Sequence, residues 1–210
     1  PAMGNCPNMT ILENMSLADN KGKPFGLSFA LNKKRFDNYR EQLASLGLGL
    51  EDKLHVKMGS LSGGQRQAVS LLMATMTPID FLILDTVHSL PGEILDFLAF
   101  VPYLKNNAIV VVHDIVMNHL SDNQWGFATQ VLLDCVVADK LTPIECGKEY
   151  PDIGAFRINH DTKKYLDDVF NAMMITWNYI PGTKELQLYR SHYERHFSRN
   201  QLHIFDEAVK

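Results

Sequence analysis

Leu61-Ser62-Gly63-Gly64-Gln65-Arg66-Gln67 is the stretch of this sequence that says most about its fold. A serine and two glycines stand here at the mouth of a predicted helix, because the residues from Gly64 to Met76 have a helical pattern that ends before Pro78. Glycines lack β-carbons, so an anion can approach the backbone closely at the positive end of such a helix. The stretch therefore predicts a phosphate-facing helix N-terminus, although a bare Ser-Gly-Gly is more simply explained as a flexible loop.

The full string resembles the LSGGQ signature of ATP-binding cassette (ABC) ATPases, and its neighbours match that family in the same order. Met9-Thr10-Ile11-Leu12-Glu13-Asn14 is similar to the helix start that follows the Q-loop, and Thr10 with Glu13 forms a capping-box pattern. Phe81-Leu82-Ile83-Leu84-Asp85 resembles the hydrophobic Walker B strand. The resemblance covers about residues 5–85 and implies an ABC-type helical subdomain, expected at residues 1–80.

The same resemblance implies roles for individual residues. In ABC ATPases the signature residues close on the γ-phosphate of ATP held by the opposite subunit. Four residues match those positions and are expected to bind nucleotide in trans: Ser62, Gly63, Gly64 and Gln65. Asp85 matches the aspartate that holds Mg²⁺ through water, so ATP and Mg²⁺ are the cofactors that the family implies.

Two departures from the family pattern predict that these 210 residues alone are not a competent ATPase. Thr86 occupies the position of the catalytic glutamate, and a neutral hydroxyl cannot act as a general base near neutral pH. No G-x-x-x-x-G-K-[ST] occurs, so the lysine and the amide cradle for the phosphates are missing. With Pro1 in place of a starting methionine, we expect a fragment of an ABC transporter ATPase component. Its implied partners are a second ATPase subunit and a membrane permease, at the cytoplasmic face of the membrane.

A different pattern begins after Asp85. Thr86-Val87-His88-Ser89, a helical stretch from Pro91, and the run from Pro102 to Asp114 resemble the fourth and fifth strands of class I S-adenosylmethionine-dependent methyltransferases. Strands alternating with helices predict an α/β fold, with a partial, mostly parallel three-layer sheet and flanking helices over residues 81–210. S-adenosylmethionine is then a possible cofactor, but the strand and glycine-rich loop that hold it in that family have no counterpart before Phe81.

Four polar residues follow the predicted strands: Asp85, His88, His113 and Asp114. They would lie at the carboxyl ends of adjacent parallel strands, where open α/β sheets place ligands. Two carboxylates and two imidazoles there could bind a divalent metal or move a proton. Histidines that only cap strand ends are an equally simple explanation, and His113 also lies superficially where an ABC switch histidine would lie.

The composition narrows the function classes further. The chain is 46% hydrophobic and 21% charged with a net charge of −4, which gives no support for nucleic-acid binding. No apolar run is long enough to cross a bilayer, so direct membrane insertion is not expected. The cysteines are scattered and are expected as reduced thiols: Cys6, Cys135 and Cys146. A non-catalytic product of recombination, design or faulty assembly is the third interpretation, beside the ABC and methyltransferase ones.

Overall fold

The computed structural model describes residues 4–23, 33–86, 89–115, 127–141 and 153–210. The chain divides into two compact units, Pro1–Pro78 and Ile79–Lys210, and each contains its own cluster of buried apolar side chains. No helix among the described residues combines the length and the hydropathy that crossing a membrane requires.

The first unit is helical. Its helices are α1 (Ile11–Asp19), α2 (Phe36–Ala44) and α3 (Gly63–Thr75). The capping box predicted at the start of α1 is confirmed, because Glu13 N donates to Thr10 Oγ1 at 3.2 Å and Thr10 N donates to Glu13 Oε2 at 2.7 Å. The backbone hydrogen bond from Thr10 lowers the pKa of Glu13.

The core of the first unit fixes the position of the loop before α3. Its fully buried side chains come from all three helices and from that loop: Ile11, Met15, Leu43, Leu50, Met58 and Val69. Met58 N donates to Met9 O at 2.9 Å, which ties the loop to the segment before α1. Leu61 is buried, whereas Ser62, Gly63 and Gly64 are exposed. The chain therefore leaves the core immediately before α3 begins.

The second unit contains a four-stranded sheet with the order β1-β2-β4-β3. Its strands are β1 (Ile79–Leu84), β2 (Leu104–His113), β3 (Asp139–Leu141) and β4 (Ile153–Arg157). β1 and β2 are parallel, while β4 is antiparallel to both of its neighbours. The α/β class is confirmed, but the expectation of a mostly parallel sheet is wrong.

The length of one connection explains the reversed strand. Only residues 142–152 join β3 to β4, and a parallel crossover needs a dozen or more residues. β4 therefore runs back along β2, with Ile109 opposite Arg157 and His113 opposite Ile153. The pattern of alternating strands and helices did not reveal this return, because the three-residue β3 was not recognised in the sequence.

Among the described residues, six α-helices accompany the sheet: α4 (Gly92–Phe100), α5 (Phe127–Cys135), α6 (His160–Lys164), α7 (Leu166–Ala172), α8 (Thr183–Tyr193) and α9 (Arg199–Ala208). The residues from Asp161 to Trp177 have the spacing of an amphipathic helix, which predicts one continuous helix over this range. The chain instead breaks at Tyr165, whose φ of −107° and ψ of 34° lie outside the helical region, so α6 and α7 are separate.

The described helices build the core on one face of the sheet. That face presents Leu84, Val110, Val112 and Phe156 to the core, and the Phe156 ring packs edge-on against Phe97 of α4 at 5.6 Å. The opposite face keeps large apolar side chains about half exposed: Phe81 (54%), Ile83 (60%) and Ile153 (49%). Within the described residues the second unit is thus two-layered, and the expected third layer is not found there.

Because the core lies on one face of the sheet, truncating a phenylalanine on that face should lower the free energy of unfolding much more than truncating one on the other face. We expect Phe156→Ala to lower the free energy of unfolding of the second unit by about 3–5 kcal/mol, since the ring is fully buried and its loss leaves a cavity. Phe81→Ala, the matched control on the open face, should cost less than about 1 kcal/mol. Urea denaturation followed by tryptophan fluorescence measures this unit, because both tryptophans, Trp125 and Trp177, follow residue 79. Equal losses would contradict the one-sided core.

Candidate functional site

The start of α3 presents backbone N–H groups to solvent. Ser62 is the N-cap and forms a capping box with Gln65, with Gln65 N donating to Ser62 Oγ at 3.3 Å and Ser62 N donating to Gln65 Oε1 at 3.1 Å. Gly63 and Gly64 occupy the first two helical positions, whose N–H groups have no intrahelical acceptor. The Ser62 oxygen accepts one hydrogen bond, so its own O–H can still donate to a ligand.

Neither glycine is required by the fold of the first unit. A β-carbon added at Gly63 or Gly64 would meet nothing within 4 Å, and neither residue has a positive φ. Glycine in a helix is less favourable than alanine by about 0.5–1 kcal/mol, so two of them weaken α3 without a packing reason. The two glycines leave open space above two exposed backbone amides at the positive end of the helix dipole. An anion can approach closely there.

A second cluster of polar groups lies where β1 and β2 end. The parallel pairing of the two strands brings together Asp85, His113 and Asp114, whose potential ligand atoms all lie within 4.8 Å of one another. His113 Nδ1 is 3.7 Å from Asp85 Oδ1 and 3.1 Å from Asp114 Oδ1. Asp114 adopts a φ of +57°, a left-handed conformation that aspartate tolerates better than most residues. The expectation that these side chains gather at one sheet edge holds for these three, while His88 lies outside the described residues.

The donor set of this cluster suits a divalent cation. Two carboxylates and one imidazole are ligand types that Mg²⁺, Mn²⁺ and Zn²⁺ accept in proteins. His113 Nδ1 is buried but makes no hydrogen bond within the described part of the chain, because its contact with Asp114 lacks hydrogen-bond geometry. A metal ion would give that nitrogen a partner. Thr86, which follows Asp85 in the chain, is partly buried.

Sequence reasoning missed a buried acid–phenol pair in the second unit. The Tyr189 hydroxyl of α8 donates to Asp96 Oδ1 of α4 at 2.7 Å. Burial raises the pKa of the Asp96 carboxyl, and the hydrogen bond from Tyr189 opposes that shift. Burial and the neighbouring carboxylate also raise the pKa of Tyr189 well above its usual range. Nothing in the sequence singles out Asp96 as the partner of Tyr189, because the two residues are 93 positions apart.

Comparison with known families identifies the first part of the chain. Residues 3–88 match the family described as ABC transporter, so this stretch belongs to the ABC transporter ATPase domain family. The matched stretch contains the whole described first unit and β1, and it ends just beyond Asp85. No solved structure matches the chain significantly.

The individual relatives are ATP-binding proteins of transport systems by name. The chain is 44% identical over 85 residues to a tyrosine transport ATP-binding protein of Clostridioides difficile, covering 40% of this chain and 34% of that protein. It is 31% identical over 170 residues to the ribose import ATP-binding protein RbsA of Bacillus licheniformis, covering 80% of this chain and 29% of that protein. A probable ABC transporter ATP-binding protein of Campylobacter jejuni, PEB1C, is 28% identical over 146 residues, or 67% of this chain and 51% of that protein.

These figures limit what the relatives say about the whole molecule. The chain spans between about a quarter and a half of the length of the curated relatives it matches, with shares of 34%, 29%, 51% and 25%. The alignment with RbsA is longer than the family match at residues 3–88, so it extends into the second unit.

The cluster at the ends of β1 and β2 yields a prediction for metal binding. We predict that Mn²⁺ binds to the chain and that Asp85→Asn or Asp114→Asn weakens binding at least about tenfold, because each change removes a charged ligand. Asp80→Asn is the matched control, since this exposed carboxylate of β1 pairs with Lys105 at 2.8 Å instead. Isothermal titration calorimetry with Mn²⁺ measures the effect. Equal weakening by Asp80→Asn would show that only general surface charge attracts the ion.

Proposed function

We propose that the first unit is the signature-bearing helical subdomain of an ABC transporter ATP-binding component. In this role the start of α3 binds the γ-phosphate of an ATP molecule held by a partner ATPase subunit. Ser62 donates through its hydroxyl, and Gly63 and Gly64 donate through their backbone N–H groups. Gln65 contributes indirectly, since its side chain holds Ser62 in the capping box.

One observation carries the proposal: Gly63 and Gly64 stand at an exposed helix N-terminus where neither packing nor backbone conformation requires glycine. A loop that served only to start a helix would gain stability from alanine at those positions. The family match over residues 3–88 gives a reason why α3 keeps two glycines that lower its stability, because ABC ATPases bind ATP and Mg²⁺.

The phosphate cradle of such a site would come from another chain. The 210 residues contain no G-x-x-x-x-G-K-[ST] and have Thr86 where a catalytic glutamate is expected. We therefore propose that the unit completes a partner's ATP site and does not hydrolyse ATP by itself. A permease is the further partner that an import or transport ATPase of this family would need, which would place the protein at the cytoplasmic face of the membrane.

The test replaces the capping serine by a residue that caps equally well but repels phosphate. Asp is as good an N-cap as Ser, so Ser62→Asp should leave α3 folded while its carboxylate opposes a bound anion. Ser198→Asp is the matched control, because Ser198 caps α9 in the same way, with Gln201 N at 3.3 Å from its Oγ and Ser198 N at 2.9 Å from Gln201 Oε1.

The measurement is the NMR shift of the Gly63 and Gly64 amide signals on addition of Mg-ATP. We expect weak, saturable shifts, with a dissociation constant of about 1 mM, in the original chain and in Ser198→Asp, and no saturation in Ser62→Asp. Shifts that survive Ser62→Asp would contradict the proposed contact. Micromolar binding by this chain alone would contradict the proposal that the phosphate cradle lies elsewhere.

A second candidate function, favoured by the sheet topology, concerns the second unit. This unit carries the resemblance to class I methyltransferases, and its β4 runs antiparallel between β2 and β3. β1 and β2 are parallel neighbours, as the resemblance to the fourth and fifth strands of that family implies. We propose that this unit is a methyltransferase-like half-sheet with the Asp85–His113–Asp114 cluster as its polar site. The alternative for His113 is a switch histidine of the ABC family.

Binding of S-adenosylmethionine tests the methyltransferase-like hypothesis against the ABC hypothesis for the second unit. Under the methyltransferase-like proposal, S-adenosylmethionine added with Mn²⁺ should bind, and Asp114→Asn should weaken its binding. Binding is expected to be weak, since the described residues before β1 contain no strand followed by a glycine-rich loop. If S-adenosylmethionine does not bind at about 1 mM, the methyltransferase-like proposal is wrong. The Mn²⁺ titration then remains the test of the metal site.

A further inference from the structure

Asn14 is a buried polar side chain on α1, with 1% of its surface exposed. Its amide offers the same donor and acceptor groups as a peptide bond, and it pairs with the backbone of Cys6 in both directions. Cys6 N donates to Asn14 Oδ1 at 2.8 Å, and Asn14 Nδ2 donates to Cys6 O at 3.1 Å. The same Nδ2 donates to Thr10 O at 2.9 Å. One side chain therefore holds the segment before α1 on that helix.

The same segment is hydrogen-bonded to the turn that precedes the start of α3. Gly59 N donates to Pro7 O at 2.8 Å, beside the bond from Met58 N to Met9 O at 2.9 Å. Met58 and Gly59 belong to a single 3₁₀ turn, Met58–Ser60. Asn14 is thus connected to this turn through the backbone of residues 6–9.

The contact between the segment and the turn is close enough to require glycine. A β-carbon at Gly59 would lie 3.0 Å from Pro7 O and 3.3 Å from Pro7 Cβ. Gly59 does not have a positive φ, so its backbone conformation is not the reason for the glycine. Gly63 and Gly64 differ in this respect, because a β-carbon there would meet nothing. Packing therefore demands glycine in the turn but not at the start of α3.

Two further contacts join the segment and the turn to α3. Leu61 is buried and its N–H donates to Met58 O at 3.2 Å, so the chain is held up to the residue before Ser62. Asn5 Nδ2 donates to Ser70 Oγ, within α3, at 2.8 Å. The position of the start of α3 therefore depends on the position of the segment.

We propose that Asn14 is a positioning residue for the start of α3: it fixes residues 6–9, and these residues fix the turn before Ser62. This inference rests on the proposed binding of a γ-phosphate by Ser62, Gly63 and Gly64. Asn14 does not touch the ligand. It acts on affinity because the apparent affinity falls in proportion to the fraction of molecules whose donors are already in the binding geometry.

Removing the Asn14 amide should make the start of α3 mobile without opening the core of the first unit. Cys6 is exposed, so water can replace the lost hydrogen bonds to its backbone. The segment is then free to leave α1, and the turn bonded to it is free to move with it. The apolar core side chains keep their own contacts.

Two variants of the full chain test the proposal from opposite sides of the segment. Asn14→Ala removes the amide, whereas Gly59→Ala pushes the turn away from Pro7 without deleting a hydrogen-bonding side chain. Leu43→Ala is the control, because Leu43 is fully buried on α2 and its truncation weakens the same core away from the segment.

NMR relaxation without nucleotide measures the order parameters of the Gly63 and Gly64 amides. We expect them to fall from about 0.85 to about 0.6 in Asn14→Ala and in Gly59→Ala, and to stay unchanged in Leu43→Ala. Titration with Mg-ATP, followed on the same signals, should give a dissociation constant at least about fivefold higher in the first two variants only. These signals come from folded molecules, so a lower stability alone changes neither quantity.

Unchanged order parameters in Asn14→Ala and Gly59→Ala would overturn the proposal. An equal fall in Leu43→Ala would overturn it too, since the effect would then follow from lower stability alone. If Asn14→Ala does not fold, Gly59→Ala decides by the same criterion.

Failure of the underlying function gives a different result. Mg-ATP would then leave the Gly63 and Gly64 signals of the original chain unshifted. The order parameters, which are measured without nucleotide, would still decide whether Asn14 positions the start of α3.

Discussion

The rest of this structure depends on one constraint, which is that backbone N–H and C=O groups need hydrogen-bond partners. Most of this chain supplies them within helices or between strands. Among the described residues, such groups lack partners at the first turn of α3, where Gly63 and Gly64 leave their amides open, and along the outer sides of the two end strands, β1 and β3. A helix N-terminus suits an anion, whereas a strand edge suits another strand, so these places point to different ligands.

The two units owe their organisation to different interactions. The first is closed by a core that takes side chains from all three helices, with the Met9–Met58 backbone hydrogen bond fixing the loop before Ser62. The second depends on the parallel pairing of β1 with β2, which places Asp85 beside His113 and Asp114. The ABC family match ends just after β1, at residue 88, although several relatives align beyond that point.

Local signals predicted more of this protein than the sheet topology did. The capping box at Thr10 and a helix after the Ser-Gly-Gly stretch follow from residue types and spacing. The capping box is confirmed, and α3 begins at Gly63, one residue before the expected Gly64. The gathering of Asp85 with His113 follows from the rule that parallel strands share a carboxyl edge. The reversed β4 was missed because it depends on pairing with a three-residue strand that has no recognisable pattern. The Asp96–Tyr189 bond was missed for a similar reason: it joins residues 93 positions apart.

The most direct test of the account is the stability of α3 in a Gly64→Ala variant. If Gly64 serves a ligand and not the fold, alanine should raise the free energy of opening of the first unit by up to about 1 kcal/mol. Native-state hydrogen exchange of the buried Val69 amide measures this directly. Gly154→Ala provides the contrast, because its β-carbon would lie 2.8 Å from Leu133 Cδ2 and should destabilise the second unit. A loss of stability in Gly64→Ala would show that the fold itself requires the glycine and would contradict the account.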